Sequence, residues 1–141
     1  MEKLAVKILV IDDDPNISKL IRFYLESELY SITTVQNGQQ GILLAGKEDF
    51  DLILVDMFMP RMDGLTFLQK LKQAGYNESP VIMVTAIDLD DEKLQNMIDD
   101  IFDVLTKPFT ANRLKLTIRN ALRYRRLQHK YTSLINSVIK E

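Results

Sequence analysis

Short apolar runs alternate with longer stretches of helical period along the whole chain. Lys7-Ile8-Leu9-Val10-Ile11 is apolar without alternation, the pattern of a strand covered on both faces. After Pro15, the residues Ile17, Leu20, Ile21, Tyr24 and Leu25 return at the spacing of one helical face. Pro15 suits a first helical turn, and Asp14 before it suits the cap. Ser31 to Val35 is a β-branched run closed by Asn37-Gly38, and Ile42, Leu43 and Ala45 then predict a second helix. Asp51 to Asp56 reads as a third strand, Gly64 to Ala74 as a third helix, and Pro80 to Val84 as a fourth strand. Leu94, Met97, Ile98 and Ile101 mark the buried stripe of a fourth helix. Phe102 to Thr106 is the fifth strand, and Pro108 ends it before a last helix reaching about residue 138.

Five repeats of strand then helix predict an α/β fold, a doubly wound parallel sheet, because parallel neighbours require crossover connections and helices supply them here. A chain of 141 residues with 46% hydrophobic side chains is long enough for one such core. It contains no cysteine, which excludes disulfides, zinc thiolates and thiol nucleophiles and makes a reducing cytoplasm the expected location. Its apolar runs stop at acids, so neither a membrane span nor a signal peptide is expected.

The formal charge of −2 hides a division. Residues 1 to 109 carry 10 basic and 19 acidic side chains, a net of −9, whereas residues 110 to 141 carry 8 basic and 1 acidic, a net of +7. The two parts are expected to do different work. Leu114, Ile118, Ala121 and Leu122 should pack on the sheet, whereas Tyr124, Leu127, Tyr131, Leu134 and Val138 form a second stripe turned away from the first. That alternation of three and four, flanked by Arg123, Arg125, Arg126 and Lys130, has the form of a short coiled-coil seam. Residues 1–123 are therefore expected to be the domain and residues 124–141 a helical extension, offering a weak homodimer contact or a link to an effector. No direct contact with nucleic acid is expected.

The chemistry gathers at the carboxyl ends of the predicted strands: Asp12, Asp13 and Asp14 after the first, Asp56 on the third, Thr85 after the fourth and Lys107 after the fifth. Ligands bind at that edge of an open α/β sheet. Clustered carboxylates repel, by roughly 4 kcal/mol for a pair about 4 Å apart at an effective dielectric near 20, and need a compensating charge. Mg²⁺ is the natural one, since it prefers hard oxygen ligands and no His or Cys lies nearby to favour zinc. A carboxylate can serve as nucleophile toward phosphorus, with a lysine and a hydroxyl to neutralise and orient the phosphoryl oxygens. The methionines 57, 59 and 62 suit core filling better than soft-metal binding. His129, the one histidine, lies among cations in the tail and is expected to be a solvated helix residue. Gly38 and Gly41 lack the spacing of a phosphate loop, and an aspartyl phosphatase would need an acid where Phe58 stands.

Val10-Ile11-Asp12-Asp13-Asp14-Pro15, Leu54-Val55-Asp56-Met57-Phe58-Met59-Pro60 with Met62-Asp63-Gly64, Val84-Thr85-Ala86 and Thr106-Lys107-Pro108-Phe109, in that order, resemble the receiver domain of two-component response regulators. The resemblance covers about residues 5 to 123. It implies the flavodoxin-like strand order 2-1-3-4-5, with Asp56 as phosphoacceptor. It further implies Asp12, Asp13, Asp56 and the Phe58 backbone carbonyl as Mg²⁺ ligands, Thr85 as switch hydroxyl and Lys107 as the phosphoryl-contacting lysine. The implied partner is a sensor histidine kinase or phosphotransfer protein that donates from a phosphohistidine; the alternative is a receiver-shaped interaction module that is not phosphorylated. Two departures stand out: Val104 replaces the usual aromatic residue three positions before the lysine, and Asp100-Ile101 replaces the usual Gly-Ala. The resemblance also implies that Phe58 and Ile87 stand at the two places that flank the approach of a hydrolytic water, and their apolar side chains predict a persistent phosphoryl group.

Overall fold

The structure, a computed structural model, describes residues 5–76, 78–86 and 92–139. Five parallel strands, β1 (Val6–Ile11), β2 (Tyr30–Val35), β3 (Leu52–Asp56), β4 (Val81–Thr85) and β5 (Asp103–Thr106), form one sheet in the order β2-β1-β3-β4-β5. The helices are α1 (Pro15–Tyr24), α2 (Gly38–Lys47), α3 (Gly64–Gln73), α4 (Glu92–Asn96) and α5 (Ala111–Ile139). Among the described residues, no helix is long and apolar enough to cross a membrane.

Successive strand residues feed opposite faces, and each face has its own core. Leu9, Ile11, Ile53, Val55 and Met83 point to one side, where Phe67, Leu68 and Leu71 of α3 and Ile42, Leu44 and Ala45 of α2 cover them. Ile8, Val10, Leu52, Leu54, Ile82, Val84 and Leu105 point to the other, beneath Ile21 of α1 and Leu114, Ile118 and Ala121 of α5. Every residue of β3 and β4 is buried, which explains their lack of polar alternation.

Side-chain caps start three of the helices: Asp14 Oδ1 accepts from Asn16 N at 2.9 Å, Asn37 Oδ1 from Gln40 N at 2.9 Å and Asp63 Oδ1 from Thr66 N at 2.7 Å. Three details differ from expectation. Leu43 is exposed and Leu44 packs in its place, a phase error of one residue on the helical wheel. The fourth helix ends at Asn96 and passes into a 3-10 turn, Ile98–Asp100. Ile98 is therefore exposed, Met97 half-buried and only Ile101 fully in the core. The physical reason is that Ile101 already adopts extended dihedrals to enter β5, while Asp100 pairs with Lys72 at 2.9 Å. The side chain of Leu94 lies outside the described residues.

The last helix runs unbroken past position 123, and Arg125, expected beside the exposed seam, is buried under the sheet instead. Its guanidinium donates to the Phe50 carbonyl, to Ser79 Oγ at 3.0 Å and to Asp49 Oδ1 at 2.9 Å, with Asp51 Oδ1 at 3.7 Å. Farther up the same helix Arg119 reaches Glu28 at 3.4 Å. Part of the basic segment thus neutralises acids of the domain it follows.

Candidate functional site at the carboxyl edge of the sheet

Asp12 follows β1, Asp56 closes β3, Thr85 closes β4 and Lys107 follows β5. Adjacent strands in parallel register bring these ends side by side, with Asp56 paired to Val84 and Thr85 to Thr106. Backbone bonds continue the ladder past the strand ends: Asp12 N donates to Val35 O at 3.1 Å, Met57 N to Val84 O at 2.9 Å and Lys107 N to Thr85 O at 2.8 Å. The bond from Lys107 to Pro108 is cis.

Carboxylate oxygens of Asp12, Asp13 and Asp56 lie within 4.8 Å of one another. Asp12 and Asp56 are buried, whereas Asp13 is exposed. The Lys107 ammonium bridges the buried pair, 3.3 Å from Asp12 Oδ2 and 3.5 Å from Asp56 Oδ1. Local amides hold both carboxylates in place: Asp14 N donates to Asp12 Oδ1 at 2.9 Å and Phe58 N to Asp56 Oδ1 at 3.3 Å.

Burial pushes the Asp12 carboxyl above its ordinary range, against the opposing pull of the Asp14 amide and Lys107. Burial also raises Asp56, and the neighbouring Asp12 charge raises it further, while Lys107 and the Phe58 amide pull it down. One ammonium is too little for three carboxylates. The remaining formal charge is −2, that of one divalent cation, and the all-oxygen donor set is the kind Mg²⁺ accepts.

Thr85 is fully buried at the end of β4. Gly64 is required where the loop after β3 returns: its N–H donates to Met57 O at 2.8 Å, and a Cβ there would stand 2.6 Å from the Asp56 carbonyl oxygen. Phe58 projects outward, 55% exposed. Ile87 lies outside the described residues. Val104 is half-buried and packs on the α2–α3 face of the core as an ordinary strand residue. His129 is exposed on α5, away from this edge. Asp14 is engaged as the α1 cap.

The residue that sequence reasoning missed is Arg125, at the opposite edge of the sheet. Its signal was the acid pair Asp49 and Asp51 flanking Phe50 before β3, which has to be satisfied if that strand is central.

The sequence model of the response regulator receiver domain matches residues 8–119. The transcriptional regulatory protein ResD of Bacillus subtilis is 34% identical over 117 residues, covering 83% of this chain and 48% of ResD. SrrA of Staphylococcus aureus is 32% identical over 120 residues, covering 85% of this chain and 49% of SrrA. This chain therefore spans about half the length of these curated relatives. Among solved structures, a response regulator receiver domain protein from Clostridium thermocellum superposes with a TM-score of 0.77 at 31% identity, covering 87% of this chain and 98% of that one. The chemotaxis protein CheY4 of Vibrio cholerae superposes at 0.76 with 29% identity, covering 84% and 99%. With the five-stranded order, the acid cluster and the lysine bridge already in place, these matches show that the chain belongs to the response regulator receiver domain family.

Proposed function

We propose that Asp56 of this receiver domain accepts a phosphoryl group from a phosphohistidine on a sensor histidine kinase or phosphotransfer protein, and that the modified site switches a protein contact or a downstream effector. The observation that carries the reading is the convergence of Asp12, Asp13 and Asp56 within 4.8 Å, with Lys107 across the buried pair.

An Asp56 carboxylate oxygen attacks the phosphorus. The bond from phosphorus to the donor nitrogen breaks, and the electron pair stays with that nitrogen. The Lys107 ammonium exchanges its carboxylate contact for a phosphoryl oxygen, and the Thr85 hydroxyl donates to another. Because Thr85 is buried, that contact requires its hydroxyl to move toward the site. Asp12, Asp13, Asp56 and the Phe58 backbone carbonyl are the groups that would hold Mg²⁺. When bound, the ion supplies neutralisation of charge on the transferring group. Phe58, two positions beyond the acceptor, has no polar atom to orient a hydrolytic water, so the phosphoryl group persists. Residues 124–141 form a linking or pairing extension of the receiver.

Incubating the protein with Mg²⁺ and a small acyl phosphate or phosphoramidate is expected to add one phosphoryl group, measured by intact mass. The Asp56→Asn variant should take up none, and equal incorporation in that variant overturns the assignment.

A further inference from the structure

At the edge of the sheet opposite Asp56, a cavity of about 610 Å³ opens between α5 and the first residues of β1 and β2. Its apolar wall is Val6, Tyr30 and Leu122, each half-buried and packed on the core beneath α1 and α5. Val6 and Tyr30 are register partners, so they stand side by side where their strands begin. The other wall is cationic, lined from α5 by Arg119, Arg123 and Arg126 together with Arg125 and His129. Arg119 lies 3.4 Å from Glu28, and Arg125 is committed to Phe50, Ser79 and Asp49. The Arg123 and Arg126 guanidiniums, by contrast, have no ion pair or hydrogen bond among the described residues, and both side chains are exposed. Arg119 to Arg123 is a step of four along the helix and Arg123 to Arg126 a step of three, so each cation neighbours the next. Like charges at that spacing destabilise a helix, and these two add nothing to the core. An anion in the cavity relieves the repulsion, as Lys107 does for the carboxylates at the other edge.

We propose that this cavity is a binding site for an aromatic phosphomonoester of mononucleotide size. The two uncommitted guanidiniums carry +2, which matches the charge of roughly −2 on a phosphomonoester at neutral pH. The lining as a whole, four arginines against Asp49 and Asp51, has the same net charge. A guanidinium also presents paired N–H donors to a phosphate, a geometry that a lysine ammonium lacks. An inorganic ion would leave Val6, Tyr30 and Leu122 in water, whereas an organic body covers them. The rings of Tyr30 and His129 and the flat faces of the arginines favour an aromatic body over an aliphatic one. The volume falls within the ordinary range of small-molecule sites, about 300–1,000 Å³. A ligand seated there touches α5 on one wall and both strands on the other, and so bridges the helix to the sheet.

Binding is read from the amide shifts of Val6, Tyr30 and Leu122 in NMR titrations of the full chain, in chelator so that no metal draws phosphate to the opposite edge. Adenosine 5′-monophosphate should saturate these shifts, and adenosine and inorganic phosphate should each bind at least about tenfold more weakly. Hexyl phosphate, with an aliphatic body, should be at least about threefold weaker. Arg123→Gln combined with Arg126→Gln should weaken adenosine 5′-monophosphate at least about tenfold, through lost charged hydrogen bonds. Lys47→Gln combined with Lys70→Gln removes the same charge from exposed positions on α2 and α3 and should leave the affinity within about twofold. Far-UV circular dichroism establishes that each variant is folded. Failure to saturate below about 10 mM overturns the proposal, as does equal binding of inorganic or hexyl phosphate, or an equal loss in the lysine variant. Tighter binding of a short single-stranded oligonucleotide than of the monophosphate assigns the cations to a nucleic-acid backbone and overturns it too. The same titration on the Asp56→Asn background should be unchanged, which separates this inference from the phosphoacceptor assignment.

Discussion

Replacing Asp56 with Asn should make the magnesium-free protein more stable. Asp56 and Asp12 bring oxygens within 4.8 Å, a repulsion of about 3.5 kcal/mol at an effective dielectric near 20. Lys107, 3.5 Å from Asp56, contributes an attraction of about 4.7 kcal/mol on the same scale. These terms nearly cancel, and exposed Asp13 adds a smaller, screened repulsion. Burial decides the balance, because taking a carboxylate out of water costs several kcal/mol and Asp56 is 7% exposed. The amide keeps the oxygen that accepts from Phe58 N and discards the charge. The expected gain is about 1–3 kcal/mol, or a Tm rise of about 3–9 °C for a chain of this size. Thermal and urea unfolding in chelator would measure it. The pH dependence has a definite sign. A carboxyl raised in the folded state destabilises the fold where it is ionised, so wild type recovers stability as pH falls through the raised range, and its deficit against the variant narrows. Mg²⁺ should stabilise wild type more than the variant, and that advantage should shrink as pH falls through the raised carboxyl range. A variant that is no more stable than wild type in chelator would refute the reasoning.

Three further outcomes are expected. Gly64→Ala places a methyl 2.6 Å from the Asp56 carbonyl oxygen and 2.7 Å from Met83 Sδ, so it should cost about 1–3 kcal/mol in urea unfolding and slow phosphorylation. Arg125→Ala strips the cation from the buried cluster at Phe50 and Asp51 and should cost about 3–5 kcal/mol; a loss below about 0.5 kcal/mol would mean that the cluster is not held by this guanidinium. Phe58→Asn, at an exposed position, should leave the unfolding midpoint within about 0.5 kcal/mol of wild type while shortening the lifetime of the phosphorylated form, followed by loss of label.

The strand ends were legible because each is a local event. An apolar run that stops at an acid, a threonine or a lysine announces both its own end and what stands there, and a parallel sheet brings such ends together without further information. Asp12, Asp56, Thr85 and Lys107 are adjacent in space for that reason. Arg125 was not legible, because its burial depends on where a long helix crosses the base of the sheet, a tertiary property that helical period does not report. Leu43 and Leu44 differ by one step on the wheel, too fine for a pattern of three residues to resolve. The fourth helix failed for a different reason: Asp99, Asp100 and Asn96 favour helix weakly, and the demand that Ile101 enter β5 ended it early.

The strand β3 has chemistry at one end and a guanidinium clasp at the other. Its five residues separate Asp56 from Asp51 by roughly 17 Å at about 3.3 Å per residue. The acid cluster and the guanidinium clasp consequently stand at opposite edges of the sheet, tied to one another by a single wholly buried strand.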